Sequence, residues 1–152
     1  MLFGRTNNVS KLLEQTFKEM KIEFEYDAEK KAYFAYFALS EDLRGVVQYV
    51  VNSHEHLVFN TAYPENVNEE HLLPVCKDLL DINNRALTGS FDVDLSTGRV
   101  IFRSTVSLLG NMKPSKEVLR EQIELGLYSI EMFHRDVWMK HCPPRSSDPM
   151  IG

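Results

Sequence analysis

Residues 79–106, LLDINNRALTGSFDVDLSTGRVIFRSTV, run from a helix end through an Asn pair into two alternating strands joined at Ser96-Thr97-Gly98. Gly89 opens the first strand, in which Phe91, Val93 and Leu95 alternate with Ser90, Asp92 and Asp94, predicting one dry face and one acidic, wet face. Thr97-Gly98 turns the chain. The returning strand, Arg99 to Val106, puts Val100, Phe102, Ser104 and Val106 on one side. Pairing of Asp92 or Asp94 with Arg99 or Arg103 across this hairpin would add ~0.2 to 1 kcal/mol, which helps register more than stability.

Upstream, a helix is predicted between Asn68 and Arg85, with Leu72, Cys76, Leu79, Leu80 and Asn83 on or near one face. Pro74 leaves two possibilities: the regular helix begins near Leu73, or an earlier turn from Asn68 bends at the proline. Before it, Ile22 to Tyr26, Ala32 to Leu39, Gly45 to Val51 and His56 to Thr61 form four successive strands, an antiparallel meander. Val9, Leu12, Leu13, Thr16, Phe17 and Met20 recur at helical spacing, predicting a first helix over 9–21 with Asn8 as its N-cap. Downstream, Pro114 and Ser115 mark the start of a helix reaching about His141, and Pro143-Pro144 ends it. The expected organisation is one domain over residues 1–142 and a flexible tail over 143–152.

A chain of 152 residues with 43% hydrophobic content buries about 70% of its unfolded surface around one core. Its 17 basic residues are scattered among 22 acidic ones, for a net charge of -5, so no stripe exists to neutralise a phosphate backbone and nucleic acid is not an expected partner. Residues 1–8 carry no apolar run of signal-peptide length, and no stretch approaches the ~20 apolar residues of a membrane span. The expectation is a cytoplasmic protein without a membrane partner, whose Cys76 and Cys142 are both thiols.

Candidate chemistry is sparse. His54 and His56 would share one side of a strand, and His134, His141 and Cys142 cluster near a helix end, but neither group has a further ligand at a recognisable spacing, so no metal or other cofactor is expected. Asp92 with Asp94, and Glu69 with Glu70, are carboxylate pairs with nothing apolar nearby to raise a pKa. No Ser or Thr stands at a diagnostic offset from a His or Lys, and glycines occur singly, so an enzyme is not expected.

Two features exceed what a two-layer domain requires. The strand Ala32 to Leu39 is apolar at every position, with Phe34 and Tyr36 on one face and Tyr33, Phe37 and Leu39 on the other, and Val46 to Val51 repeats the pattern. A sheet covered by helices on one side only should alternate. In the last helix Leu119, Ile123, Gly126, Leu127, Ile130, Phe133 and Val137 form a core stripe, while Val118, Leu125, Met132 and Met139 form another, spaced by sevens on nearly the opposite side. That stripe, with Tyr33, Phe37 and Tyr49, is the expected partner or dimer surface, because Met and aromatic residues suit adaptable contacts. An aromatic pocket near Tyr33, Tyr36, Phe37 and Tyr49, with Phe34 beside it, is the alternative, a site for a small molecule.

Asn83 to Leu87 followed by Gly89-Ser90-Phe91-Asp92-Val93-Asp94, the Thr97-Gly98-Arg99-Val100 turn and the Ser115-to-Trp138 helix resemble the second half of the YbjN family. The order α-ββββ-α-ββ-α resembles that of YbjN-like and type III secretion chaperone-like domains. The resemblance implies an α+β fold with N- and C-terminal helices packed on one face of a curved antiparallel sheet. It also implies a non-enzymatic protein-binding or regulatory, chaperone-like role. The expected partner is another protein or a second copy in a homodimer, and a small-molecule sensor or carrier is the alternative.

Overall fold

The computed structural model describes residues 2–110 and 113–142, with side chains described from residue 8 onward. The expected tail over 143–152, and Pro143-Pro144 with it, lie outside the described residues.

The elements are α1 (Leu2–Glu19), β1 (Phe24–Asp27), β2 (Ala32–Ser40), β3 (Leu43–Asn52), β4 (His56–Ala62), α2 (Glu69–Arg85), β5 (Ser90–Asp94), β6 (Arg99–Ser107) and α3 (Lys116–Phe133). A π-helical turn, His134–Trp138, and a last short helix, α4 (Met139–His141), continue α3. The six strands form one antiparallel sheet in the order β1-β2-β3-β4-β6-β5. The α+β order predicted from the sequence is the observed one, with helices gathered on one face.

Alternation decides which face of each strand is dry. Tyr33, Ala35, Val46, Val50, Leu57, Phe59, Val100 and Phe102 point toward the helices and are buried. Two apolar groups fill that space. One joins Val9, Leu13 and Phe17 of α1 to Tyr33, Val50, Phe59, Leu119 and Ile123. The other joins Val75 and Leu79 of α2 to Phe91, Phe102, Ile130, Phe133 and Val137. Between them lies a polar waist. Gln48 and its cross-strand neighbour Thr61 are wholly buried, and the Gln48 amide donates to Thr61 Oγ1 at 2.9 Å and to the Ile123 carbonyl at 3.2 Å. Gly126 sits over this pair and lets α3 approach the strands closely.

Several expectations change. The first helix starts at Leu2 instead of residue 9, so Asn8 is an exposed interior residue and not a cap. α2 begins at Glu69 and carries Pro74 in its second turn. The proline lacks only the N–H that would bond Glu70, which is exposed to water. Val75 and Leu79 are its buried residues, whereas Leu80 is 63% exposed. α2 is apolar at 72, 73, 75, 76, 79, 80 and 82, so periodicity alone does not select its inner face. Leu95, expected on the dry side of β5, lies past the strand end and is exposed. The final helix starts as predicted, with Ser115 Oγ accepting from the Val118 N–H, but its 134–138 turn is π-helical.

Asn83 performs the most specific task in the 79–106 block. Its amide accepts from the Phe91 N–H at 2.8 Å and donates to the Phe91 carbonyl at 3.0 Å. A side-chain amide thus imitates a neighbouring strand at the open edge of β5 and ties α2 to it.

Candidate functional site

All helices lie on one side of the sheet, which leaves its other face bare among the described residues. Strand register assembles that face from residues that a linear reading cannot group. Phe34 stands opposite Tyr49, and Tyr36 opposite Val47. Tyr49 stands opposite Asn60, and Val51 opposite Val58. Phe34 and Tyr49 stack with ring centroids 5.7 Å apart. Lys30 and Arg99 lie over the two rings, at 5.5 and 5.7 Å from their centroids, a favourable arrangement of cation and π face. Tyr36 is 49% exposed, and its hydroxyl donates to Glu25 at 2.7 Å.

The face has two halves. Over β2, β3 and β4 it is apolar and half-buried, with Phe34, Val47, Tyr49, Val51 and Val58. Over β6 and β5 it is charged. Arg103 pairs with Asp92, donates through Nε to Asn60 Oδ1 at 3.0 Å, and leaves Arg99 and Asp94 exposed beside it. Asp94 also turns the hairpin, accepting from the Ser96 hydroxyl and N–H, which holds its carboxyl below the ordinary range. The carboxylates expected on the wet side of β5 therefore serve an ion pair and a turn.

The residues singled out in the sequence separate into several environments. Tyr33 is 6% exposed and belongs to the core beside Phe17 and Phe24, donating to Glu14 Oε2. Burial and that carboxylate raise its pKa. Phe37 packs on the core below the sheet. Tyr49, Tyr36 and Phe34 are on the bare face. Tyr33 and Phe37 thus lie on the opposite side of the sheet from Tyr36 and Tyr49, and the four do not line one pocket.

The second stripe of the last helix is also corrected. Leu125 and Met132 are half-buried and pack against the apolar group that joins Val75 and Leu79 to Phe91, Ile130 and Phe133. Val118 is half-buried, and Met139 is 50% exposed. Steps of seven keep these residues in line, but Leu125 and Met132 join the core and Met139 stays exposed.

The histidines do not converge. His54 sits in the β3–β4 turn with φ +73°, outside the strand that begins at His56. His134 takes part in a relay: Nδ1 lies 2.6 Å from the Tyr63 hydroxyl and Nε2 lies 3.2 Å from Asp42 Oδ2. A carboxylate only accepts, so Nε2 carries the donor hydrogen, and in the neutral ring Nδ1 accepts from the Tyr63 hydroxyl. Hydrogen bonds from Ser40 and His134 lower the Asp42 pKa. Burial and the charges of Glu65 and Cys142 raise that of Tyr63. Tyr63 is itself packed among Phe133, His134 and Trp138, so the relay pins the π turn to the β2–β3 turn. His141 instead meets Asp78 at 2.7 Å, lowering that carboxyl and joining α4 to α2. Cys142 is buried, which raises its thiol pKa. No group of three or more His, Cys, Asp or Glu side chains among the described residues is placed to hold a metal. No described helix is long and apolar enough to cross a membrane.

The family model described as "YbjN: Putative bacterial sensory transduction regulator" matches residues 10–137. The chain belongs to the YbjN family. The crystal structure of YbjN from E. coli is similar to it at 17% identity, covering 80% of this chain and 89% of that one, with a TM-score of 0.59. The ExsC–ExsE complex is similar at 18% identity, over 91% of this chain and 98% of that one, with a TM-score of 0.65. Among curated proteins no sequence matches. At such identities the likeness is one of fold alone. The YbjN match reaches from within α1 into the π turn, so the bare sheet face belongs to the family domain.

Proposed function

We infer that this YbjN domain, residues 1–142, is a non-enzymatic, chaperone-like protein-binding or regulatory module that works in the cytoplasm as a homodimer. The observation that carries the reading is the bare sheet face, where a stacked Phe34–Tyr49 pair and half-buried valines adjoin the Asp92, Arg99 and Arg103 edge. Apolar surface of this kind, rimmed by polar groups, marks protein contacts, and aromatic and Arg anchors carry most of the energy of such contacts. The two halves suit an amphipathic segment that lays apolar side chains on β2 and β3 and polar ones toward β5. The similarity to ExsC–ExsE, a structure of a complex, supports a protein partner. Nothing in the placement of the aromatic residues favours a small-molecule pocket.

Site-specific photo-crosslinking in the native cell tests this. A photoreactive phenylalanine at Tyr36 is expected to trap a defined protein, while the same group at Tyr128, exposed on the helical side, traps none of it. Tyr49→Glu should weaken capture about 30-fold or more, the loss of a ~2 kcal/mol anchor, with the chain still folded and its melting temperature lowered by only about 2 to 4 °C for the lost Phe34 stack. Equal crosslinking from both positions would remove the sheet face from consideration.

A further inference from the structure

Two cations on the bare sheet face leave the carboxylates nearest to them and cover its aromatic pair instead. Asp94 is the cross-strand partner of Arg99, yet its carboxylate accepts from Ser96 and the Arg99 guanidinium lies over the Tyr49 ring. Asp27 accepts from the backbone N–H of Lys30, while the Lys30 ammonium lies over Phe34. Both cations are exposed, and neither forms an ion pair among the described residues.

Phe34 and Tyr49 stack on each other, and each also holds one of these cations. With their faces engaged, the rings offer an incoming group their edges, the positive part of the aromatic quadrupole. The carboxylates of this side stand on the two outermost strands: Glu25 of β1, held by the Tyr36 hydroxyl, and Asp92 and Asp94 of β5, held by Arg103 and Ser96. The face is therefore positive over its aromatic centre and negative along both rims.

That pattern selects the occupant. A carboxylate-bearing segment running over the centre meets Lys30 and Arg99 and avoids both rims, whereas a basic segment is repelled where it must pack. An extended segment puts alternate side chains on one side about 6.6 Å apart, comparable with the 5.7 Å between the ring centroids. One apolar side chain set on the half-buried Val47, Val51 and Val58, with a carboxylate two residues away on each side, serves the valines and both cations together. Single-stranded nucleic acid fits poorly, because its bases need free ring faces on which to stack.

Taking the sheet face as the docking surface, as inferred above, we propose that it holds an extended acidic peptide segment of another protein, in which one apolar residue lies between two carboxylates that pair with Lys30 and Arg99.

Fluorescence anisotropy with labelled synthetic nonapeptides tests this on the full chain. A peptide with phenylalanine at its centre and aspartate two residues to either side, in a serine background, is expected to bind with a micromolar dissociation constant. Replacing both aspartates by asparagine should weaken binding about 10-fold, the loss of two exposed ion pairs, and replacing both by lysine about 100-fold. Lys30→Glu with Arg99→Glu should reverse the order, so that the lysine peptide binds more tightly than the aspartate one, with the far-ultraviolet circular dichroism unchanged. Raising the salt from about 0.05 to about 0.5 M should weaken the aspartate peptide about 5-fold and leave the asparagine peptide nearly unaffected. Equal binding of all three peptides, binding of none of them by about 1 mM, or displacement of the aspartate peptide by an oligouridylate would overturn the acidic occupant. Photo-capture from Tyr36 separates that failure from failure of the surface. Capture that survives Lys30→Glu with Arg99→Glu leaves the docking surface standing and removes its acidic occupant, whereas no capture from Tyr36 removes the surface itself.

Discussion

Gly98→Ala is expected to lower unfolding stability by about 3 kcal/mol, close to the largest effect of any single methyl group added to this chain. Gly98 has φ +80°, where a side chain is strained, and a Cβ built there would lie 2.0 Å from the Val67 carbonyl oxygen. The obstacle is backbone, which cannot turn aside as a flexible side chain can. The two residues are clasped, since the Val67 N–H donates to the Gly98 carbonyl at 2.8 Å. Making room therefore separates the β5–β6 turn from the segment entering α2 and loses a hydrogen bond worth about 1 kcal/mol. Urea denaturation followed by circular dichroism should show a reduced midpoint at unchanged slope, and the melting temperature should fall by about 6 to 12 °C. A loss below about 1 kcal/mol would mean that the turn and the loop part freely.

Gly126→Ala is the second large effect, and its sign opposes helix propensity. In an exposed helix interior this change stabilises by about 1 kcal/mol. Here the added Cβ would lie 2.1 Å from Thr61 Oγ1 and 2.7 Å from Gln48 Nε2, and both partners are wholly buried. Either α3 lifts from the sheet, loosening Ile123 and Ile130 together, or the Gln48–Thr61 bond breaks inside the core. A net loss of about 2 to 3 kcal/mol is expected. Thr61→Ala alone should cost about 1 to 2 kcal/mol, because Gln48 loses an acceptor. In the double variant the two losses should fall short of their sum by about 1 kcal/mol, since removing the hydroxyl relieves the contact. Strict additivity in a double-mutant cycle would show that the two positions do not press on each other.

How far the sequence discloses this molecule depends on which interactions are local. The strands and the β5–β6 hairpin were legible because alternation and turn chemistry act within a few residues. Their faces were also right strand by strand: Phe34 and Tyr36 on one side of β2, Tyr33 and Phe37 on the other. Grouping Tyr49 with Tyr33 went wrong because that choice needs the β2–β3 pairing, in which Tyr49 meets Phe34. Leu125 and Met132 read as an outer stripe because their spacing does not disclose the apolar group, built from residues remote in sequence, against which they pack. The same unforeseen packing turned Leu80 outward. The His134 relay joins residues 71 positions apart and carried no local signal. What could be read concerned the scaffold, and what could not concerned surfaces, which depend on how elements meet.

The Asn83 amide that bonds both backbone groups of Phe91 also sets a limit on growth. An uncovered outermost strand is a template on which further chains can add indefinitely, and a short strand whose free groups are already occupied offers no such template. At Phe91 the open edge of the sheet is already paired, so that position offers no free backbone group on which another chain could add.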